Sequence, residues 1–226
     1  MDTAATAPRS ALLAGATGLI GRALLPLLEK SERYSSVHVL VRRAVTGIEA
    51  HPKVGFRTVD FSHLPKAFPK VDDVYIALGT TIKVAGSEAA FRQVDHDFVV
   101  NTARAARKAG ALRLTVVSAL GADAKSRVFY NRVKGEMQAE IAELGYESVV
   151  IAQPSLLMGD RAALGQPVRS GEVWATRLFS PVMWMVPKGV RPIAAGAVAS
   201  AMLAATLSAK PGLHVLSSRQ MQGRQR

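Results

Sequence analysis

The stretch "ALLAGATGLIGRALL", residues 11–25, decides the fold, because a short apolar run leads directly into three regularly spaced glycines. Gly15, Gly18 and Gly21 have the spacing GxxGxxG and open a segment with helical periodicity. A side chain in such a turn would keep the backbone away from a phosphate, whereas free amides and the positive end of a helix dipole attract one. The strand before the glycines and the helix after them therefore indicate a dinucleotide-binding turn. The alternative is a plain tight turn that only packs the helix against the strand.

Short apolar runs continue along the chain and alternate with segments of helical spacing. Phe91, Val94, Phe98 and Val99 recur at steps of three or four and predict a helix, as does the segment 194–209. Alternating strands and helices are typical of a parallel sheet covered on both faces. The sequence therefore predicts an α/β, doubly wound, mainly parallel Rossmann sheet with helices on both faces. The predicted strands are residues 11–14, 37–41, 54–59, 74–78, 112–118, 147–152 and 213–216.

The domain organisation follows from length and composition. With 226 residues, 49% of them hydrophobic, the chain can bury one sizeable core, and we expect a single domain over residues 1–226. Residues 10–153 form the dinucleotide-binding core in this interpretation. Residues 154–190, which include Trp174 and Trp184, form a small C-terminal pocket or cap region. The apolar stretch 180–186 either lines that pocket or is a buried connecting segment, and residues 217–226 are expected to be a disordered tail.

Charge and cysteine content narrow the range of partners and compartments. The net charge of +12 attracts phosphates, whether on a cofactor, an anionic membrane surface or nucleic acid. The basic residues are scattered and aromatic residues make up 6%, which disfavours nucleic acid. The chain has no cysteine, which excludes disulfides and thiolate chemistry and favours a reducing compartment, so we expect the cytoplasm. No run approaches the roughly 18 apolar residues of a spanning helix, so we expect no transmembrane segment.

The residues that end the second and third predicted strands bear on the choice of cofactor. Arg42 and Arg43 end the second strand, where an acidic residue favours the ribose 2′-hydroxyl of NAD and an arginine favours the 2′-phosphate of NADP. They predict NADP, with NAD as the alternative, unless the two arginines only solvate a strand end. Asp60 follows the third strand and is placed either to approach the adenine or to cap the next turn.

Three polar residues form a candidate reaction centre. If the segment after the fifth strand is helical, Tyr130 and Lys134 lie four residues apart on one face. An ammonium near a phenol favours the phenolate, so Tyr130 could exchange a proton with an alcohol or carbonyl near neutral pH. Ser118 ends the fifth strand, at the edge where open α/β sheets bind ligands. Such a pair is also common on a solvated helix face, but its combination with the glycine turn and Ser118 favours a catalytic site.

These motifs together resemble the short-chain dehydrogenase/reductases, in particular their atypical or extended members with a GxxGxxG turn and the Tat-interacting-protein-like branch. The resemblance covers residues 11–209 and rests on "GATGLIG", "ALGTTIKVAGSEAAFRQVDHDFV", "VSALGAD", "FYNRVKGE" and "QPSLLMGDR". It implies that Tyr130 is the acid/base, that Lys134 assists it and binds the nicotinamide ribose, and that Ser118 orients the substrate. The Asn-Asn-Ala-Gly segment of the commonest members is replaced by "ALGTT", residues 77–81, which implies backbone contacts to the cofactor there.

The motifs and the resemblance lead to one functional hypothesis. We expect an NADP-dependent oxidoreductase that transfers a hydride between the nicotinamide and a small carbonyl or alcohol substrate. The alternative is an NAD(P)-binding regulatory or scaffold protein with little or no turnover, and a homo-oligomer is compatible with either. The expected cofactor contacts are Gly15, Thr17, Gly18, Leu19, Ile20, Gly21, Arg42, Arg43, Asp60, Phe61, Leu78, Gly79, Thr80, Tyr130, Lys134 and Pro154.

A metal site is not expected. "VDHDF" brings Asp95, His96 and Asp97 together, but adjacent residues on a helix point in different directions. We therefore interpret these three residues as solvent-exposed.

Overall fold

The computed structural model describes residues 7–45, 51–158, 190–208 and 210–223. Within these ranges, seven parallel strands form one sheet in the order β3-β2-β1-β4-β5-β6-β9, and β7 pairs with β8 beside it. The predicted parallel sheet is confirmed, and the strand bounds lie close to those expected. The strands are β1 (Arg9–Ala14), β2 (Tyr34–Val41), β3 (Val54–Thr58), β4 (Asp73–Ile76), β5 (Arg113–Val117), β6 (Ser148–Gln153), β7 (Leu157–Met158), β8 (Ile193–Ala194) and β9 (Gly212–Ser217).

Helices cover both faces of this sheet, as the doubly wound fold requires. The helices are α1 (Leu19–Lys30), α2 (Ile82–Ala85), α3 (Glu88–Arg92), α4 (Phe98–Lys108), α5 (Phe129–Ala142), α6 (Ala195–Leu207) and α7 (Ser218–Gly223), with a π-helical segment (Gln93–Asp97) between α3 and α4. One core cluster joins the sheet to α1 and α6, and the other joins it to α4 and α5. The fold class predicted from the sequence is therefore confirmed.

The alternation of side chains along β1 explains why the sheet is covered twice. Leu13 belongs to the cluster with α1 and α6, whereas Leu12 belongs to the cluster with α4 and α5, and both are fully buried. Burying one leucine side chain stabilises the fold by about 1.5–3 kcal/mol. A central strand with apolar residues on both faces therefore stabilises helices on both sides.

The strand order places a cleft above the centre of the sheet. β1 and β4 are neighbours, with Ala14 beside Ile76, but the chain proceeds from β1 toward one edge and from β4 toward the other. In open α/β sheets the connections diverge at such a point and leave a crevice at the carboxyl ends of the strands. The glycine turn after β1 and the segment after β4 both lie at this crevice.

A buried polar cluster lies at the amino-terminal ends of the strands, opposite the cleft. The carboxylate of Asp73 lies between Arg113 and Arg9, with 3.3 Å between Arg9 Nε and Asp73 Oδ2. The hydroxyl of Tyr34 donates to Asp73 Oδ2 at 2.6 Å and lies 2.7 Å from the hydroxyl of Tyr75. These groups lie where the strands begin, away from the cleft, and Arg9 contributes an ion pair with Asp73, although its Nε and one terminal nitrogen are buried without a hydrogen-bond partner.

Two expectations about the C-terminal part need comment. The disordered tail expected over residues 217–226 is wrong for residues 217–223, because Ser217 ends β9 and the next residues form α7. Met221 and Ser218 are buried there, so apolar packing orders this segment. Most of the expected cap, including Trp174, Trp184 and the stretch 180–186, lies outside the described residues.

Candidate functional site

The glycine turn is shaped for close backbone approach. Gly15 has a φ of +97°, and a Cβ there would lie 2.5 Å from the carbonyl carbon of Ala77 on the neighbouring strand's extension. A Cβ on Gly21 would lie 2.0 Å from the carbonyl oxygen of Gly15, so Gly21 lets α1 begin directly against the turn. Gly18 is the N-cap of α1 and has no side chain to bond the first amides. These amides therefore remain available to an anionic group.

A cleft of about 1250 Å³ lies over the carboxyl ends of β1, β4, β5 and β6. A smaller pocket of about 100 Å³ adjoins the glycine turn and includes Gly15 and Thr17 in its lining. Gly21 and Arg43 do not line the large cleft. The predicted site residues that do line it are Gly18, Leu19, Ile20, Arg42, Asp60, Phe61, Leu78, Gly79, Thr80, Ser118, Tyr130, Lys134 and Pro154.

Arg42 and Asp60 mark the end of the cleft nearest β2 and β3. Arg42 is exposed and lines both the cleft and the smaller pocket, whereas Arg43 is exposed but lies outside the cleft lining. Asp60 Oδ1 accepts a hydrogen bond from the amide of Ser62 at 2.8 Å, and His63 lies 3.1 Å from Oδ2. The Ser62 amide, and then His63, lower the pKa of Asp60. Asp60 thus both caps its turn and lines the cleft.

Tyr130 and Lys134 lie in the same part of the cleft, near the middle of the sheet. Both belong to the first half of α5, four residues apart, and both line the cleft. The ring of Tyr130 packs on that of Phe91, with 5.4 Å between the centroids. Phe91 is fully buried on α3, so this contact fixes the tyrosine ring from one side. Ser118, directly after β5, lines the same cleft and is buried.

A buried carboxylate holds the lysine. Lys134 Nζ lies 2.8 Å from Asp95 Oδ1, and the side chains are only 4% and 1% exposed. The other carboxylate oxygen accepts the amide of Thr80 at 2.8 Å. Burial acts to lower the pKa of Lys134, but attraction to Asp95 and then to Tyr130 outweighs it and raises that pKa. Lys134 therefore stays protonated at neutral pH.

Gly79 allows the segment after β4 to lie against this ion pair. A Cβ at Gly79 would approach Asp95 Oδ1 to 3.3 Å and Lys134 Nζ to 4.0 Å. The Thr80 amide reaches Asp95 only because this segment comes so near. The "ALGTT" segment thus lines the cleft and its backbone contacts Asp95, while the backbone contacts to the cofactor that the resemblance implies there stay a prediction.

The expectation that Asp95, His96 and Asp97 are exposed to solvent is wrong for the first two. Asp95 is 1% and His96 is 8% exposed, because the π-helical segment packs against α5. His96 Nδ1 lies 2.8 Å from Asp97 Oδ1, and its Nε2 lies 3.4 Å from Glu140 Oε2. Among the described residues, no cluster of His, Cys, Asp or Glu side chains could hold a metal ion.

Two residues of the site were missed at the sequence level, although a signal exists for each. Asp95 follows Phe91 by four residues and so shares the face of a helix whose other members are buried. Gln138 follows Lys134 by four residues on the face of Tyr130 and Lys134, and its Nε2 donates to Ser118 Oγ. A polar residue in helical register with a candidate catalytic residue is the signal in both cases.

A doubly wound parallel sheet, a glycine turn at its switch point and a cleft over its strand ends define a dinucleotide-binding α/β protein. Residues 15–156 match the model of a family described as NAD(P)H-binding. The chain is 34% identical over 175 residues to the protein HTATIP2 of Rattus norvegicus, covering 76% of this chain and 70% of that protein. It therefore belongs to the NAD(P)H-binding family, and its similarity to HTATIP2 agrees with the expected atypical short-chain dehydrogenase/reductases of the Tat-interacting-protein-like branch.

The chain is also similar to a mitochondrial protein and to a solved structure. The mitochondrial protein FMP52 of Eremothecium gossypii is 35% identical over 153 residues, which cover 67% of this chain and 68% of that protein. The Thermus thermophilus UDP-glucose 4-epimerase, solved in complex with NAD, superposes with a TM-score of 0.63 at 18% identity, covering 94% of this chain and 80% of its own. The structural likeness concerns the fold alone. No helix within the described ranges is long and apolar enough to cross a membrane.

Proposed function

We propose that the protein is an NADP-dependent oxidoreductase of the short-chain dehydrogenase type that acts on a small carbonyl or alcohol substrate. The observation that carries the proposal is that Ser118, Tyr130 and Lys134 line the same cleft as Gly18 of the glycine turn. A dinucleotide with its pyrophosphate at the start of α1 has its nicotinamide end free to extend along the cleft toward these three residues. When bound, the nicotinamide supplies or takes up the hydride.

The side chains divide the remaining chemistry among them. In the direction of reduction, the hydroxyl of Tyr130 transfers its proton to the carbonyl oxygen as the hydride reaches the carbonyl carbon. Lys134, kept cationic by Asp95, binds the nicotinamide ribose and stabilises the tyrosinate that remains. Ser118 hydrogen-bonds the substrate oxygen and so fixes it beside Tyr130. The proton returns to Tyr130 from solvent.

The preference for NADP over NAD rests on Arg42. Arg42 lines the cleft and the pocket beside the glycine turn, where the adenosine ribose of a dinucleotide in this fold lies. An arginine pairs well with a phosphate and poorly with a hydroxyl. The remaining cofactor contacts are those proposed from the sequence, except that Gly21 acts by packing α1 and Arg43 lies beside rather than in the cleft.

The cellular setting is a separate part of the proposal. A chain without cysteine suits a reducing compartment, and we place the protein in the cytoplasm as a single domain, with a homo-oligomer as its compatible assembly. The FMP52 relatives carry the word mitochondrial in their names. Fractionation of cells that express a tagged chain decides between these two compartments.

The proposed activity is tested by NADPH oxidation with a panel of aldehydes and ketones, hexanal and benzaldehyde among them. Replacing Tyr130 with Phe removes the proton donor and keeps the ring contact with Phe91. We expect turnover to be lost while NADPH still binds in calorimetry. Absence of turnover over the whole panel, or full turnover in Tyr130→Phe, contradicts the proposal.

A further inference from the structure

Ser118 lies at the end of a row of side-chain amides that leads into the cleft. Its Oγ accepts a hydrogen bond from Nε2 of Gln138 on α5. Oε1 of Gln138 in turn accepts one from Nε2 of Gln153, the last residue of β6, at 3.1 Å. Ser118 is buried, and both glutamines are half-buried. The row therefore joins the carboxyl ends of β5 and β6 to α5.

The donors along this row all point in the same direction. A glutamine amide has one acceptor oxygen and one donor nitrogen. Because Gln153 engages the oxygen of Gln138, the amino group of Gln138 is turned toward Ser118. Ser118 Oγ then acts as an acceptor toward the protein. Its own hydrogen remains for an acceptor in the cleft, which Ser118 and Tyr130 both line.

We propose that Gln138, held by Gln153, is a positioning residue that directs the hydroxyl proton of Ser118 at the substrate oxygen. This role rests on the proposed oxidoreductase function and refines it. Two hydroxyl donors, Ser118 and Tyr130, then converge on one oxygen. A carbonyl oxygen, with two lone pairs and no proton, accepts both bonds, and the bonds strengthen as negative charge develops on it. The site is therefore built to receive carbonyl substrates.

The charge of a substituent at position 138 gives a test that a merely structural role would not pass. Gln138→Glu replaces the donor with a carboxylate, which only accepts, so Ser118 turns its proton toward it and away from the cleft. At low pH the new side chain is protonated and regains a donor. Gln138→Leu has no such group at any pH. On the same face of α5, the titratable side chains are Tyr130 and Lys134. The two side chains that contact Gln138, those of Ser118 and Gln153, have no group that titrates in this pH range.

The experiment measures NADPH oxidation with the same panel of carbonyl compounds as a function of pH. We expect Gln138→Leu and Gln138→Glu to lower kcat on the order of a hundredfold at neutral pH, as loss of one oxyanion donor does. The dissociation constant for NADPH should not change. Relative to the unaltered protein at each pH, Gln138→Glu recovers as the pH falls and Gln138→Leu does not. Gln220→Glu, the same change at an exposed residue of α7, should leave kcat unchanged.

Two further variants keep the test decisive if Gln138→Glu does not fold. Gln153→Leu releases the oxygen of Gln138 and should lower kcat without touching Ser118. In a Ser118→Ala background, substitution of Gln138 should have no additional effect, because its target is gone. If Tyr130→Phe abolishes turnover but the substitutions of Gln138 and Gln153 leave it intact, the role of Gln138 is overturned and the proposed function stands. Absence of turnover in the unaltered protein overturns the proposed function and this role together.

Discussion

At the scale of single residues, the ion pair between Asp95 and Lys134 matters most to the site. Both side chains are almost completely buried, so neither charge is solvated when its partner is removed. The pair also holds the Thr80 amide through the second oxygen of Asp95. Asp95 thereby links the segment after β4, the π-helical segment and α5 at one point.

This arrangement predicts a non-additive response to mutation. Asp95→Asn leaves a buried cation without a counter-ion, and Lys134→Met leaves a buried carboxylate. We expect each to lower the free energy of unfolding by about 3–5 kcal/mol, whereas the double variant, with no unpaired charge, loses less than the sum. Urea unfolding measures all three.

The pair between Arg92 and Glu136, on α3 and α5, is the matched control. These side chains are 44% and 30% exposed, so Arg92→Met should cost no more than about 1 kcal/mol. Strictly additive losses at Asp95 and Lys134 would contradict the account of a closed, desolvated pair.

The sequence predicts one site with Ser118, Tyr130 and Lys134, and all three line one cleft, but it does not indicate the residues that hold two of them. Tyr130 and Lys134 are detectable because residue type and spacing carry their chemistry. Asp95 and Gln138 become visible only when a helix face is known to pack inward. For Asp95, the spacing of four from Phe91 places it on the apolar face of a helix, but the sequence does not show that this face packs against α5.

At the scale of elements, the turn between β1 and α1 assigns different roles to two of its glycines. A Cβ on Gly21 would overlap the carbonyl oxygen of Gly15, at 2.0 Å, whereas a Cβ on Gly18 would make an ordinary contact of 3.5 Å with the same oxygen. Gly18 has extended backbone angles that alanine also adopts. Gly21 is therefore needed for packing, and Gly18 for access to the amides of α1.

Alanine substitutions should separate these roles. We expect Gly21→Ala to lower the free energy of unfolding by about 1–3 kcal/mol through overpacking. Gly18→Ala should cost less than about 1 kcal/mol, the difference between these residues as an N-cap, but should weaken NADPH binding because its methyl group meets the pyrophosphate. Thermal unfolding and calorimetry measure the two effects. Equal destabilisation, or unchanged binding in Gly18→Ala, would count against this division.

Most elements follow from local pattern, and the exceptions have physical causes. The seven strands of the sheet are apolar runs bounded by turns, so their positions follow from composition. One long helix was expected around Phe91 and Phe98, but the chain forms α3, a π-helical segment and α4 in succession. Asp95 lies in this π-helical segment and pairs with Lys134 of α5, a contact that depends on the tertiary fold. The helix α7 likewise depends on burial of Met221.

At the scale of the whole molecule, Tyr34 and Tyr75 are fully buried and Tyr146 is half-buried, and they are distributed over both faces of the sheet. Burial raises the pKa of Tyr34, of Tyr75 and of Tyr146, and for Tyr34 the neighbouring Tyr75 and Asp73 raise it further. Their neutral forms are thus part of the folded state. The unfolded chain, by contrast, loses these protons near pH 10.

Stability should therefore fall on the alkaline side. A folded pKa above the unfolded one contributes stability that is complete below about pH 10 and is lost as the pH rises further. Lys134, whose pKa is also raised, acts in the same direction. We expect the tyrosinate absorbance of Tyr34, Tyr75 and Tyr146 to appear together with loss of helical circular dichroism. Their ionisation in the intact fold would show that they are accessible to water.

The proposed function requires that the cleft bind NADPH and that Arg42 select its 2′-phosphate. Calorimetric titration of the protein with NADPH and with NADH tests it most directly, with Arg42→Ala and Arg43→Ala measured in parallel. We expect tighter binding of NADPH than of NADH, loss of that preference in Arg42→Ala, and its retention in Arg43→Ala, which changes an arginine outside the cleft lining. Failure of both dinucleotides to bind would contradict the account, and equal binding of the two would contradict the role of Arg42.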